Sequence, residues 1–206
     1  MSATELATEC RAIGNRGGDV RQGFAYALRL VHAQARAGVC PSTDVVAALR
    51  KLGGYAGMDH TEVDDVLVNG LLKLPVFKKA STKLFVTLAE TLKQHPEALE
   101  VLWDVKPQKT KPLQFLRLWH AAGLLEFMHT DRVRYAQWLV DFINSYSGDD
   151  GISDYSAVLE NEISYCGTAL HGLRVHKVLI WMPLNVIDLL CEHGVVWDGY
   201  RTDASG

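Results

Sequence analysis

Apolar side chains recur along most of this chain at steps of three and four, the spacing that an α-helix gathers onto one face. From residue 19 the stripe Val20, Phe24, Leu28, Val31 and Ala35 predicts a helix, with Asp19 as its N-cap and Gly38 as its stop. "CPSTDVVAALRKLGG" repeats the grammar: Ser42 or Thr43 caps, Val45, Val46, Leu49 and Leu52 form the stripe, and Gly53 with Gly54 ends it. A third helix is expected from Thr61, with Val63, Val66, Leu67, Leu71 and Leu74 on one side. Its Asp64 and Asp65 fall in the first turns, where the helix dipole favours negative charge. A fourth opens at Ser81 or Thr82 and carries Leu84, Phe85, Leu88 and Leu92. A short fifth begins at Pro96, whose missing N–H has no partner to lose in a first turn.

Further along, "LQFLRLWHAAGLLEF" is apolar on nearly every turn, which predicts a helix buried on most sides. Thr130 or Asp131 starts the next, with Tyr135, Trp138, Leu139, Phe142 and Tyr146, and the turn-rich "SGDDGISD" stops it. Ser153 or Asp154 caps another, whose stripe is Tyr155, Leu159, Ile163 and Cys166. Then the rhythm changes. "RVHKVLIW" is rich in β-branched and aromatic residues, and reads as a strand or as a helix continuing into "LNVIDLLCEHG"; "VVWDGY" is its candidate pairing strand. The expected fold is mainly α, eight or nine amphipathic helices in a compact bundle with a small β-hairpin near the C-terminus. "DVKPQKTKP" at 104–112 has two prolines and three lysines, which marks a connector between residues 1–103 and 113–206, unless the two form one continuous domain. No fixed-period repeat is visible.

Composition narrows the class. A chain of 206 residues, 48% hydrophobic and 22% charged, is long enough to bury roughly 70% of its unfolded surface and lies far from disordered sequences. The longest apolar stretch, "VLIWMPL", is interrupted by Pro183 and is far short of the ~20 residues a membrane span requires, so no membrane partner is expected. Glu5 and Glu9 stand where an export signal would be basic and then apolar, and the four scattered cysteines favour free thiols; both point to the cytoplasm. The net charge of −3 is uneven: −1 over residues 1–72, +5 over 73–117 and −7 over 118–206.

Several residue sets invite chemistry. Cys166, His171 and His176 are suitable zinc ligands, yet steps of five turn each about 140° past a full helical turn, away from a shared face. Helix continuity decides that case: only a break would let the three converge. The same thiol, paired with a histidine base, or Cys40, which precedes a predicted helix start whose dipole would lower its pKa, is a candidate nucleophile. "GDDGISDYSAVLE" departs from a calcium loop at Gly151 and at Asp154, and "GNRGGD" lacks the phosphate-loop pattern. No cofactor is implied.

The basic segment is more suggestive. Lys78, Lys79, Lys83, Lys106, Lys109, Lys111 and Arg117, with Lys73, can meet phosphate oxygens without base-specific geometry, which makes nucleic acid a candidate partner. No helix-turn-helix or RNA-binding signature accompanies them. All five tryptophans follow residue 100, and Trp197 with Tyr200 are candidate anchors for a protein interface. The combination of amphipathic helices, polarised charge and no convergent catalytic set favours a non-enzymatic binding or adaptor protein with a protein partner or self-association. A nucleic-acid binder and a zinc- or thiol-dependent enzyme are the alternatives.

Overall fold

Side chains that accept hydrogen bonds from the first free N–H groups decide where the early helices begin. The computed structural model describes residues 2–16, 19–105, 112–145, 156–176 and 182–198. In it, Ser2 caps α1 (Ala3–Asn15), Asp19 caps α2 (Val20–Arg36), Ser42 caps α3 (Thr43–Tyr55) and Asp59 caps α4 (His60–Leu71). Ser2 with Glu5 and Asp59 with Glu62 form reciprocal capping boxes. Each cap contributes about 1 kcal/mol to its helix. A 3₁₀ turn, Pro75–Lys79, leads to α5 (Thr82–Thr87), capped by Ser81, then α6 (Ala89–Leu92) and α7 (Ala98–Asp104).

The chain divides into two compact units, Met1–Val105 and Lys106–Gly206. In the first, α1 packs on α2 and α3, and α3 packs on α4. Its core is the apolar stripe of each helix: Leu6 and Cys10, Phe24 and Val31, Leu49 and Leu52, Leu67 and Leu71, all buried. Three glycines allow close helix approaches. A Cβ on Gly23 would lie 2.2 Å from Ile13, one on Gly53 2.2 Å from Val63, and one on Gly70 2.1 Å from the His32 ring. Gly53 and Gly54 therefore do not end α3 as expected; they lie inside it, and the chain turns at Gly57, with φ of +83°. The helix expected from Ser81 is broken at Leu88, between α5 and α6.

The second unit begins with α8 (Pro112–Ala121) and α9 (Leu124–Met128), separated by Gly123 in the left-handed conformation. The single apolar helix expected there is thus two. α10 (Arg132–Ser145) and α11 (Ser156–Cys166) follow, then a 3₁₀ turn at Gly167–Leu170. Its core is aromatic: Trp119 and Trp138 stack with ring centroids 6.4 Å apart, and Phe115 and Phe142 pack beside them. Strand β1 (Arg174–Val175) pairs with β2 (Val196–Trp197), and α12 (Leu184–Glu192) lies between them. The pairing is parallel, not the hairpin expected from sequence. A tight turn joins antiparallel strands, whereas a helix between two strands carries the chain back to the end from which the first began.

The observed fold is mainly α: among the described residues there are twelve α-helices, nine of them with seven residues or more, and one two-stranded sheet. No helix among them is long and apolar enough to cross a membrane.

Candidate functional site

Glu162 is the most unusual residue of the second unit, a carboxylate only 2% exposed. It lies on α11 three residues after Leu159 and four before Cys166, so helical geometry places it on the buried stripe. Its Oε2 accepts the Tyr135 hydroxyl at 2.6 Å and lies 2.8 Å from His129 Nε2. The His129 ring stacks on Tyr165 at 3.6 Å and meets the edge of Tyr135 at 4.6 Å, while the Tyr165 hydroxyl donates to the His129 carbonyl oxygen at 2.7 Å. The Arg132 guanidinium lies 5.2 Å over the Tyr165 ring. Burial, and then the charge of Glu162, hold the Tyr135 phenol well above its ordinary pKa. A phenol so weakly acidic is a poor proton donor, and its hydrogen bond is spent inside the unit. The cluster fastens α9, α10 and α11 together. Tyr135 is legible in the sequence as a stripe residue of α10, and the signal for Glu162 is its place between Leu159 and Cys166 on the apolar stripe of α11.

A second polar clamp lies in the first unit. Asp64, expected as a first-turn dipole partner, is instead buried and accepts two hydrogen bonds from Arg50, at 2.9 and 2.5 Å. Arg50 also donates to the Thr87 carbonyl oxygen at 2.9 Å, which ties α3, α4 and α5. Nearby, His95 Nε2 is 2.8 Å from Asp65, and His95 Nδ1 is 3.5 Å from Glu97.

Cys10, Cys40 and Cys166 do not have the properties of activated nucleophiles. Burial pushes Cys40 up to about 11, the reverse of the lowering expected from a neighbouring helix start. The reason is position: Cys40 lies outside the first turn of α3, which Ser42 caps. Burial, then the Glu162 charge, raises Cys166 to about 12. Cys10 is likewise raised to about 11.

The helix does break after Cys166, as convergence of Cys166, His171 and His176 requires, but the three go to different places. Cys166 is buried beside Glu162, His171 lies against Gly194, and His176 Nδ1 is 3.1 Å from Asp198. Among the described residues no three His, Cys, Asp or Glu side chains are grouped so as to hold a metal.

The basic residues are dispersed as well. Lys78 pairs with Asp104, whereas Lys79 and Lys83 are exposed with no ion pair to a described residue. Arg117 is exposed on α8 in the other unit, and Lys106, Lys109 and Lys111 lie outside the described residues, as do Tyr200 and the loop acids Asp149, Asp150 and Asp154. Trp197 is half-buried, its Nε1 donating to Cys191 Sγ at 3.2 Å.

A face that the sequence reading did not single out belongs to α2. Gln22, Tyr26, Arg29, Ala33 and Arg36 follow each other at steps of four and three, and all five are exposed. They form one stripe about 21 Å long. The helix has no acidic residue, Tyr26 is 52% exposed, and neither arginine pairs with a described carboxylate. The signal was present: the apolar stripe used to find α2 leaves these positions on its opposite side.

Compared with protein-family models, with curated proteins and with solved structures, the chain matches none.

Proposed function

We propose that this chain is a non-enzymatic helical binding module that works through protein contacts, with the outer face of α2 as its principal surface. The observation that carries this reading is the pairing of an exposed Tyr26 with Arg29 and Arg36 on a face with no acidic residue. Tyrosine and arginine are the residue types enriched where protein interfaces derive most of their energy, because each joins a large contact area to directed hydrogen bonding. The inward use of Glu162, Tyr135 and Asp64 in clamps, and the raised thiols, also favour binding over catalysis.

The test is intact-mass measurement of the natively isolated protein beside a Tyr26→Ala/Arg29→Glu variant. A bound protein, or a second copy, is expected on the parent chain and absent from the variant. Equal retention by both would refute this surface.

A second reading, nucleic-acid binding, is favoured by Lys79 and Lys83, exposed and with no ion pair to a described residue, in the same unit as α2. It predicts affinity for a random single-stranded oligonucleotide that falls steeply with salt and is weakened by Lys79→Glu/Lys83→Glu. Salt-independent affinity would dismiss it.

A further inference from the structure

We propose that the groove between α1 and α3 is a docking site for a carboxylate side chain on an acidic segment of a partner protein. The floor is apolar: Cys10, Ala48 and Leu52 are all buried. Tyr55, 53% exposed, stands at one end, and Gly14 leaves room for its ring, since a Cβ there would lie 3.2 Å from it. The rim carries two cations on opposite helices, Arg11 on α1 and Lys51 on α3.

Neither cation has an acidic partner among the described residues. Arg11 Nε donates to the Ala7 carbonyl oxygen at 3.2 Å, and Lys51 Nζ lies 5.9 Å from the Tyr55 ring centroid. The charge of Glu9 contributes to raising Cys10, but Glu9 does not line the groove. The lining therefore holds two positive charges and none negative.

Size selects the occupant. The enclosed space, about 50 Å³, is far below the ~300–1,000 Å³ of cofactor pockets and suits the end of one inserted side chain. A guanidinium can hold a carboxylate by two parallel hydrogen bonds while the ammonium acts as a point charge. The apolar floor receives the methylenes of the inserted acid, while the two rim cations, both exposed, meet its carboxylate. The proposal rests on the binding-module reading only in making the partner a protein. The groove shares no residue with the outer face of α2, so failure of the Tyr26 and Arg29 test would leave it standing.

The test uses backbone-amide NMR on the full chain with three probes: a short blocked peptide of Glu pairs flanked by Leu, the same peptide with Gln for Glu, and inorganic phosphate. The acidic peptide is expected to shift Asn15, Ala48, Lys51 and Leu52 saturably. Arg11→Ala/Lys51→Ala, with unchanged helical circular dichroism, should weaken it roughly tenfold or more. Lys51→Gln alone should weaken it in part. Equal binding of the Gln peptide, tighter binding of phosphate, unchanged affinity in the double variant, or the absence of saturable shifts would each overturn the proposal.

Discussion

The Tyr135 hydroxyl donates a 2.6 Å hydrogen bond to Glu162 Oε2, and neither residue is more than 2% exposed. A buried carboxylate that loses a donor keeps its full desolvation cost, so truncation on either side is informative. Tyr135→Phe, which keeps the ring, is expected to destabilise the protein by about 2 kcal/mol, and Glu162→Ala by about 3 kcal/mol. The double variant should cost less than the sum of the two. Urea unfolding followed by tryptophan fluorescence measures all three, and strictly additive losses would show that the two residues do not act together.

The buried thiols predict an alkaline limit. Cys166 titrates at about 12 in the folded chain against an ordinary 9.0. A group raised on folding holds its proton more tightly in the native state. Its contribution is therefore complete below about pH 9 and is lost as pH climbs towards 12, at about 1.4 kcal/mol per pH unit. Cys10 and Cys40 act in the same direction between 9.0 and about 11, and Tyr135 joins them above 10.0. Urea midpoints measured from neutral to alkaline pH should fall with rising pH, and Cys166→Ala should flatten the slope. At mildly alkaline pH an alkylating reagent should modify exposed Cys191 first and spare Cys10 and Cys166 until the protein unfolds.

Adjacent glycines in α3 should respond in opposite senses. A Cβ on Gly53 meets Val63 Cγ2 at 2.2 Å, whereas one on Gly54 meets nothing within 4 Å. Gly53→Ala should destabilise by about 1–3 kcal/mol through overpacking. Gly54→Ala should stabilise by up to about 1 kcal/mol, because alanine loses less backbone freedom in a helix. Thermal unfolding compares them directly, and adding Val63→Ala should recover part of the Gly53→Ala loss.

Removing half of the Arg50–Asp64 pair leaves the other half short of partners. Asp64→Ala is expected to cost about 3 kcal/mol, with Arg50→Met added to it recovering part of the loss. The side chains are 24% and 7% exposed, so added salt should restore neither variant. Full recovery in high salt would mean that the pair acts as a surface ion pair instead.

Local chemistry alone determined the mainly helical class and several helix starts. Asp19, Ser42 and Ser81 are read as caps from their own side chains and the apolar steps that follow them. The same grammar exists at Ser2 and Glu5, but the stripe of Leu6, Cys10 and Ile13 is too short to mark α1 by periodicity alone. Tertiary structure decided what depends on a neighbour from elsewhere in the chain. Gly53 resembles a helix stop until Val63 needs its empty space, and Asp64 resembles a surface acid until Arg50 arrives from α3. Glu162 finds His129 and Tyr135 only when three helices meet, and Arg11 and Lys51 face one groove only because α1 lies along α3. Capping and periodicity act over one or two turns, where sequence distance equals spatial distance; clamps and grooves do not, and their residues carry no mark of their partners.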